Sequence, residues 1–157
     1  MSRYDVKHLA LLLLIPAGCA CVGLMLGRLI RGRRPRIERD RPRMAMSADF
    51  LRAAHDSRIS MHTRMKCAFE CIYFCLCEIA ESRGLKLNGL VHPNVKVIQA
   101  GLSALDVSEA EQSAVEKLAQ WTADASPFLP APSVGDAFYL AARINARAVS
   151  VLTRLRS

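Results

Sequence analysis

The chain has 157 residues, enough for one domain and little else. It is 52% hydrophobic but contains only one tryptophan, three tyrosines and five phenylalanines, which favours a Leu/Ala-rich helical core over a β-sandwich or barrel. The formal net charge is +8, but it is unevenly placed: residues 1–46 hold ten Lys/Arg against three acidic residues, and residues 47–157 hold twelve against eleven. The high overall charge is therefore no argument for nucleic-acid binding by the second part.

Residues 9–26 read LALLLLIPAGCACVGLML, eighteen residues without a charge. As a helix they would be about 27 Å long, close to the roughly 30 Å hydrocarbon core of a bilayer. A secretory signal with Arg3 and Lys7 at its start, or a lipoprotein signal around Pro16–Cys19, are alternatives. The apolar run continues past Cys19 into a dense basic cluster, which resists translocation. We therefore expect a short tail over 1–7 and a retained transmembrane anchor over 8–30.

The basic cluster after this segment predicts orientation. It comprises Arg28, Arg31, Arg33, Arg34 and Arg36, followed by Arg39, Arg41 and Arg43. The excess of arginine on this side predicts a single-pass protein of the inner (cytoplasmic) membrane, with its C-terminal domain in the cytoplasm and the membrane surface as a partner of the cluster. Residues 31–46 are interpreted as a basic linker, serving as a topology signal or, alternatively, contacting lipid or RNA.

Residues 47–157 are predicted to form a helical domain. Ser47 is placed to cap a first helix that ends near Arg58. A longer central helix is expected from about Ser60 to Arg83, ended by Gly84 in the left-handed conformation. Its apolar positions follow the 3.6-residue period, and the run CIYFCLC at residues 71–77 is apolar all round, which indicates burial on most faces.

Three further helices complete the prediction. One opens at His92-Pro93-Asn94, and the next follows the capping box that starts at Ser108 and buries Trp121. The segment SPFLPAPSVG is expected to be a loop whose Phe128 and Leu129 pack back on the core, and Ser133 precedes the last helix. The predicted fold class is all-α: a single N-terminal transmembrane helix followed by a compact bundle of about five helices.

Candidate chemistry is sparse in this domain. Cys67, Cys71 and Cys75 share one helical face, but one rigid helix cannot surround a metal ion, so we expect buried apolar cysteines and neither a metal nor a cofactor. Glu70, near the apolar run, is expected to need a partner such as Arg64, Lys66 or Arg143.

The possible polar surface consists of His62, His92, Arg143 and Arg147. Arg143 and Arg147 are four residues apart and form a modest basic stripe. That stripe is either an ordinary solvated face or a contact for phosphate. We expect no catalytic residues, because no nucleophile, base or phosphate-loop pattern is found.

Several segments carry a family resemblance. They are AAHDSR, RMKCAFECIYFCLCEIAESRGL, VHPNVKVIQAGLSAL, LAQWTAD and GDAFYLAARINARAVSVL. In this order they resemble a HEPN domain, a compact bundle of about five helices. The resemblance implies dimerisation and RNase or nucleotide-related activity. The family's Arg followed four to six residues later by His is missing at the corresponding place, where QWTAD stands, so the resemblance implies a non-catalytic role here.

Two functions remain open from the sequence. The first is a membrane-tethered cytoplasmic helical interaction module, non-enzymatic, that binds a protein partner or forms a homodimer. The alternative is a HEPN-like domain that binds or processes RNA or nucleotides. His62, His92, Arg143 and Arg147 are its only candidate residues, and the near-neutral charge of the domain gives nucleic-acid binding no support.

Overall fold

A computed structural model describes residues 36–155, and within this range the chain is helical without any strand. Its six helices are α1 (Arg36–Asp40), α2 (Pro42–His55), α3 (Met61–Ser82), α4 (Val95–Leu105), α5 (Glu109–Ala123) and α6 (Val134–Arg154). The prediction of a helical bundle is confirmed for this part of the chain.

The predicted fold class as a whole is wrong. In the described part of the chain, no helix is long and apolar enough to cross a membrane. The longest, α3, has 22 residues but carries charged side chains along its length, among them Arg64, Glu70 and Glu78. The predicted anchor over 8–30 lies outside the described residues, as does the short tail over 1–7. The bundle has six helices in the described range, where about five were expected.

The first helices begin before the expected position. Residues 36–46 were assigned to the basic linker, but they form α1 and the first turn of α2, with Pro42 near the start of α2. Met44 is 1% exposed and belongs to the core. The prediction that Ser47 caps a helix is wrong, because Ser47 lies inside α2 and is fully buried.

Helix α3 is the centre of the bundle and contacts α2, α4, α5 and α6. Its start follows the local rule for helix caps, since the Ser60 side chain accepts a hydrogen bond from the Thr63 amide. At its end Gly84 has φ +92°, and the amides of Gly84 and Leu85 donate to Glu81 and Ala80. This pair of bonds is a Schellman motif, so the predicted left-handed end at Gly84 is confirmed.

Helix α4 approaches α3 unusually closely at Gly101. A Cβ atom added there would lie 2.7 Å from Leu76 Cβ and 2.9 Å from Leu76 Cα. Only glycine fits this contact, because at such distances the backbone of α3 would have to move. Gly101 therefore determines how deeply Val97, Ile98 and Leu102 enter the core, where each is at most 3% exposed.

Helices α5 and α6 also begin at the predicted caps. Ser108 and Glu111 form a complete capping box at α5, and the Ser133 side chain accepts from the Asp136 amide at α6. The α6 stripe predicted from periodicity is buried at Ala137, Leu140, Ala141, Ile144, Ala148 and Leu152. These caps fix the starts of α5 and α6, and the cap at Ser133 also ends the loop between the two helices, which carries the surface described below.

Candidate functional site

The predicted site residues lie in separate places. Arg28, Arg31, Arg33 and Arg34 are outside the described residues. Arg36 is in α1, 87% exposed, with its Nε 3.8 Å from Asp40 Oδ2. His62, His92, Arg143 and Arg147 are described, but only Arg143 and Arg147 share a partner.

Arg143 and Arg147 bind a carboxylate of the same chain. Arg143 Nε donates to Glu111 Oε1 at 3.0 Å, and Arg147 Nη1 donates to Glu111 Oε2 at 2.8 Å. The amide and hydroxyl of Ser108 also donate to Glu111 Oε2. Burial alone would raise the pKa of Glu111, but these hydrogen bonds and the guanidinium charges lower it to about 2. The predicted basic stripe is thus a link between α5 and α6.

His92 binds Glu70, the carboxylate whose partner the sequence left open. His92 Nε2 lies 3.1 Å from Glu70 Oε2, and the imidazole meets the ring of Tyr73 edge-on at 4.3 Å. The Tyr73 hydroxyl accepts a hydrogen bond from the Asn94 amide at 3.1 Å. The expectation that Arg64, Lys66 or Arg143 pairs with Glu70 is wrong, since the partner comes from a loop 22 residues further along the chain. These contacts attach that loop to α3.

A second group of ion pairs, not predicted from the sequence, lines a cleft of about 490 Å³ beside α1. Arg41 Nη1 lies 2.5 Å from Glu78 Oε1, and Arg43 Nη1 contacts both Glu78 Oε2, at 3.7 Å, and Glu81. Because Glu78 is buried, these arginines compensate its charge. The many arginines in residues 31–46 predicted a basic linker, and nothing in the sequence indicated that Arg41 and Arg43 pair with α3.

A buried polar cluster joins α2, α3 and α6. Ser47 Oγ donates to the Cys71 carbonyl oxygen at 3.0 Å, accepts from Asn145 Nδ2 at 2.8 Å and lies 3.0 Å from Cys75 Sγ. The hydrogen bond to Cys75 and burial raise the pKa of the Cys71 thiol. In residues 36–155, no three or more His, Cys, Asp and Glu side chains come close enough together to hold a metal ion.

The thiols of Cys67 and Cys77 and the buried phenol of Tyr73 are poor nucleophiles. Burial raises the pKa of the Cys77 thiol to about 11, and burial together with the Glu70 charge raises that of Cys67. Burial likewise raises the pKa of the Tyr73 hydroxyl. Because a reactive cysteine needs a lowered pKa and an accessible sulfur, these groups do not make a nucleophilic site.

A small pocket lies where the start of α3 meets the end of α5, and we call it the Trp121 pocket. It has a volume of about 110 Å³ and is lined by His62, Lys66, Trp121, Thr122, Ala125 and Ser126. The rings of His62 and Trp121 meet edge-on at 5.0 Å, and His62 Nε2 donates to the Ser126 carbonyl oxygen at 3.3 Å. The pocket therefore combines an aromatic wall with two basic side chains.

Two residues close in the chain to lining residues have large, exposed apolar side chains. Met61, next to His62, is 63% exposed, and Phe128, whose carbonyl oxygen accepts from Trp121 Nε1 at 2.7 Å, is 79% exposed. The prediction that Phe128 and Leu129 pack back on the core is wrong, because Trp121 holds the loop through the backbone and leaves both side chains outside. The loop also contains Ala125 with φ +48°, a conformation that non-glycine residues rarely adopt and that recurs at functional sites.

Comparison with known proteins gives no relative for this chain: no family model matches it, and neither a curated protein nor a solved structure matches it. The HEPN resemblance, with the dimerisation and the RNA- or nucleotide-related activity that it implies, stays a prediction. So do the cytoplasmic-membrane localisation and the partners expected from the sequence.

Proposed function

We propose that residues 36–155 form a non-enzymatic helical module that binds a protein partner through the Trp121 pocket and its apolar flanks. The observation that carries the proposal is Phe128: its side chain is 79% exposed, and its carbonyl oxygen accepts from Trp121, a lining residue of the pocket. Exposed apolar side chains next to a concave, partly aromatic surface are typical of protein interfaces. Burying a phenylalanine contributes about 1.5–3 kcal/mol, enough for one anchor of an interface.

The polar groups of the described chain support a binding role over an enzymatic one. Arg143 and Arg147 bind Glu111, His92 binds Glu70, and Arg41 binds Glu78. Side chains held in this way stabilise the bundle, and the thiols of Cys67 and Cys77 have raised pKa values. Processing of RNA or nucleotides, the alternative from the sequence, gains no support from these contacts, since both arginines that it requires already bind a carboxylate.

Capture experiments with the full chain test the proposal. Immobilised wild type, Phe128→Ser and Tyr139→Ser are exposed to the same cell extract, and the captured proteins are quantified by mass spectrometry. Tyr139 is the matched control, since it is an aromatic residue on α6 that is 63% exposed. We expect at least one protein to be retained by wild type and Tyr139→Ser and lost by Phe128→Ser. Equal capture by all three chains would refute the proposed surface.

Self-association is measured in parallel by light scattering of the same three chains. A dimer that dissociates only in Phe128→Ser would identify a second copy of this chain as the partner at the same surface. A dimer that persists in all three variants would place that contact elsewhere and would leave the capture experiment to decide the proposal.

A further inference from the structure

Within residues 36–155, the lining of the Trp121 pocket includes a lysine and no acidic side chain. Among the residues that the structure describes, Lys66 makes no ion pair, and none of the six lining residues is acidic. The nearest acidic residues along the chain are Glu70, which pairs with His92 at 3.1 Å, and Asp124, whose carboxylate accepts from the neutral Gln120 amide at 2.7 Å and keeps its charge outside the lining. The pocket lies at the start of α3 and at the end of α5, where the two helix dipoles have opposite signs, so Lys66 is the feature that would attract an anion.

The other polar groups of the pocket are already bonded. Trp121 Nε1 donates to the Phe128 carbonyl oxygen at 2.7 Å, and the Thr122 hydroxyl donates to Leu118 at 2.9 Å. His62 Nε2 donates to Ser126. Among the lining side chains, the donor without a bond is therefore the Lys66 ammonium, in a pocket that also exposes a small part of the indole of Trp121, which is 6% exposed. A group that fits must carry a negative charge on a short apolar stem.

The volume restricts the ligand further. Pockets for drug-sized molecules occupy about 300–1,000 Å³, whereas this one has about 110 Å³. It is large enough for a carboxylate with one or two methylene groups and too small to enclose a nucleotide. Met61 and Phe128 beside it offer apolar area to a neighbouring side chain of the same ligand. An Asp or Glu followed or preceded by an apolar residue has this combination of features.

We propose that the Trp121 pocket binds an acidic side chain from a short acidic–apolar segment of the partner protein, with its carboxylate on Lys66 and its apolar neighbour against Met61 and Phe128. This inference rests on the proposed function, because it specifies the partner of the same surface. It adds a chemical requirement that the capture experiment with Phe128→Ser does not test.

The tryptophan of the pocket is a built-in probe, since Trp121 is the one tryptophan of the whole chain. The full chain is titrated with the blocked peptide Ac-Ala-Leu-Glu-Leu-Ala-NH2, with its Gln and Lys counterparts, and with inorganic phosphate, while Trp121 fluorescence is recorded. We expect a saturable change with the Glu peptide and an affinity about two- to fivefold lower with the Gln peptide, as for loss of one exposed ion pair. The Lys peptide should give no saturable change.

Variants locate the binding site. Lys66→Glu should weaken Glu-peptide binding by about fivefold or more, whereas the matched charge reversal Lys96→Glu, at an exposed lysine on α4, should change it by less than about twofold. The comparison of Glu and Gln peptides on the unchanged protein keeps the test valid if Lys66→Glu folds poorly. Equal binding of the Glu and Gln peptides, or a loss with Lys96→Glu as large as with Lys66→Glu, overturns the inference.

The remaining outcomes separate the two proposals. A saturable change in Trp121 fluorescence with phosphate, at concentrations where the Glu peptide causes no saturable change, would overturn the inference in favour of a phosphate site. If no peptide changes the fluorescence but a protein is still lost specifically by Phe128→Ser, the acidic-segment inference is wrong and the proposed function stands. If the Glu peptide binds with dependence on Lys66 but capture is the same for all three chains, the inference is supported at the pocket and the wider interface fails.

Discussion

Replacing Glu111 by glutamine should destabilise the domain in a pH-dependent way. The pKa of Glu111 falls from 4.5 to about 2 in the folded chain, which corresponds to at most about 3 kcal/mol of stability. Because the partner arginines are 58% and 39% exposed, screening by water reduces this to about 1–2 kcal/mol. Glutamine keeps the capping geometry of the helix start, so the loss reports mainly the ion pairs.

The direction with pH follows from the lowered pKa. A carboxylate whose folded pKa is depressed contributes fully above its unfolded pKa, so Glu111 stabilises the domain at pH 7 and loses this contribution as the pH falls from about 5 to about 2. More than half of it should be gone at pH 3. The difference in free energy of unfolding between wild type and Glu111→Gln is therefore expected to stay nearly constant from pH 7 to about pH 5 and to fall to less than half of its pH 7 value by pH 3.

Urea unfolding of the full chain, followed by circular dichroism at several pH values, measures this difference. Glu109→Gln is the matched control, because Glu109 occupies the first turn of the same helix and is exposed. It should change the free energy of unfolding by no more than about 0.5 kcal/mol. Equal effects of the two substitutions at pH 7, or an effect of Glu111→Gln that is the same at pH 3, would refute the link between α5 and α6 as described.

Three further predictions concern packing and the exposed surface. Gly101→Ala should lower the free energy of unfolding by about 1–3 kcal/mol, because the added Cβ would overlap α3. The control Gly135→Ala should be neutral or stabilising, because a Cβ there would lie 3.8 Å from the nearest atom, Ser133 Oγ. Equal effects of the two substitutions in urea unfolding would contradict the close approach of α4 to α3. Ser47→Ala and Asn145→Ala should each lower the free energy of unfolding by about 1–2 kcal/mol. The double variant should lose less than the sum of the two, because the side chains share a 2.8 Å hydrogen bond, and simple additivity would argue against that bond. Phe128→Ser should leave the thermal midpoint within about 2 °C, since the side chain is 79% exposed, and a large drop would mean that it packs in the core.

The helix ends were predictable because their physics is local. Ser60, Ser108 and Ser133 each accept a bond from an amide three residues on, and Gly84 takes the left-handed conformation that ends α3. A cap depends on residues within one turn, so the sequence contains all the information that it needs. The apolar stripe of α6 was predictable for the same reason, since its period is visible within a single segment.

The start of the domain was not predictable in this way. Arg41 and Arg43 looked like part of a solvated basic tract, but their partners Glu78 and Glu81 lie 37 and 38 residues further along the chain. Met44 and Ser47 are buried by α3, and neither has a local signal for burial. A run of arginines indicates solvent exposure only when no acidic partner is available to it. In this chain α3 supplies the acidic partners, Glu78 and Glu81.

The candidate site was missed for a related reason. His62 had been considered for a polar surface, but its neighbour Trp121 is 59 residues away and was expected only as a core residue. Phe128 was expected to pack inward because apolar loop residues usually do. A hydrogen bond from the Trp121 ring to the loop backbone reverses this outcome, and no sequence pattern encodes such a bond.

These placements limit how a partner is held. Acidic groups of the same domain bind Arg41, Arg143 and Arg147. Within the described residues that line the Trp121 pocket, Lys66 is then the cation available to a partner, and apolar contacts should contribute more to the affinity than charge does. The affinity should then fall only slightly as salt is added. Peptide titrations at several ionic strengths should give a slope of about −1, or smaller in magnitude, for the logarithm of the association constant against the logarithm of the salt concentration. A ligand that contacts many phosphates would give a slope several times steeper. A steep slope would therefore mean that the arginines leave Glu111 or Glu78 on binding. The ion pairs seen in the free domain would then be broken in the complex.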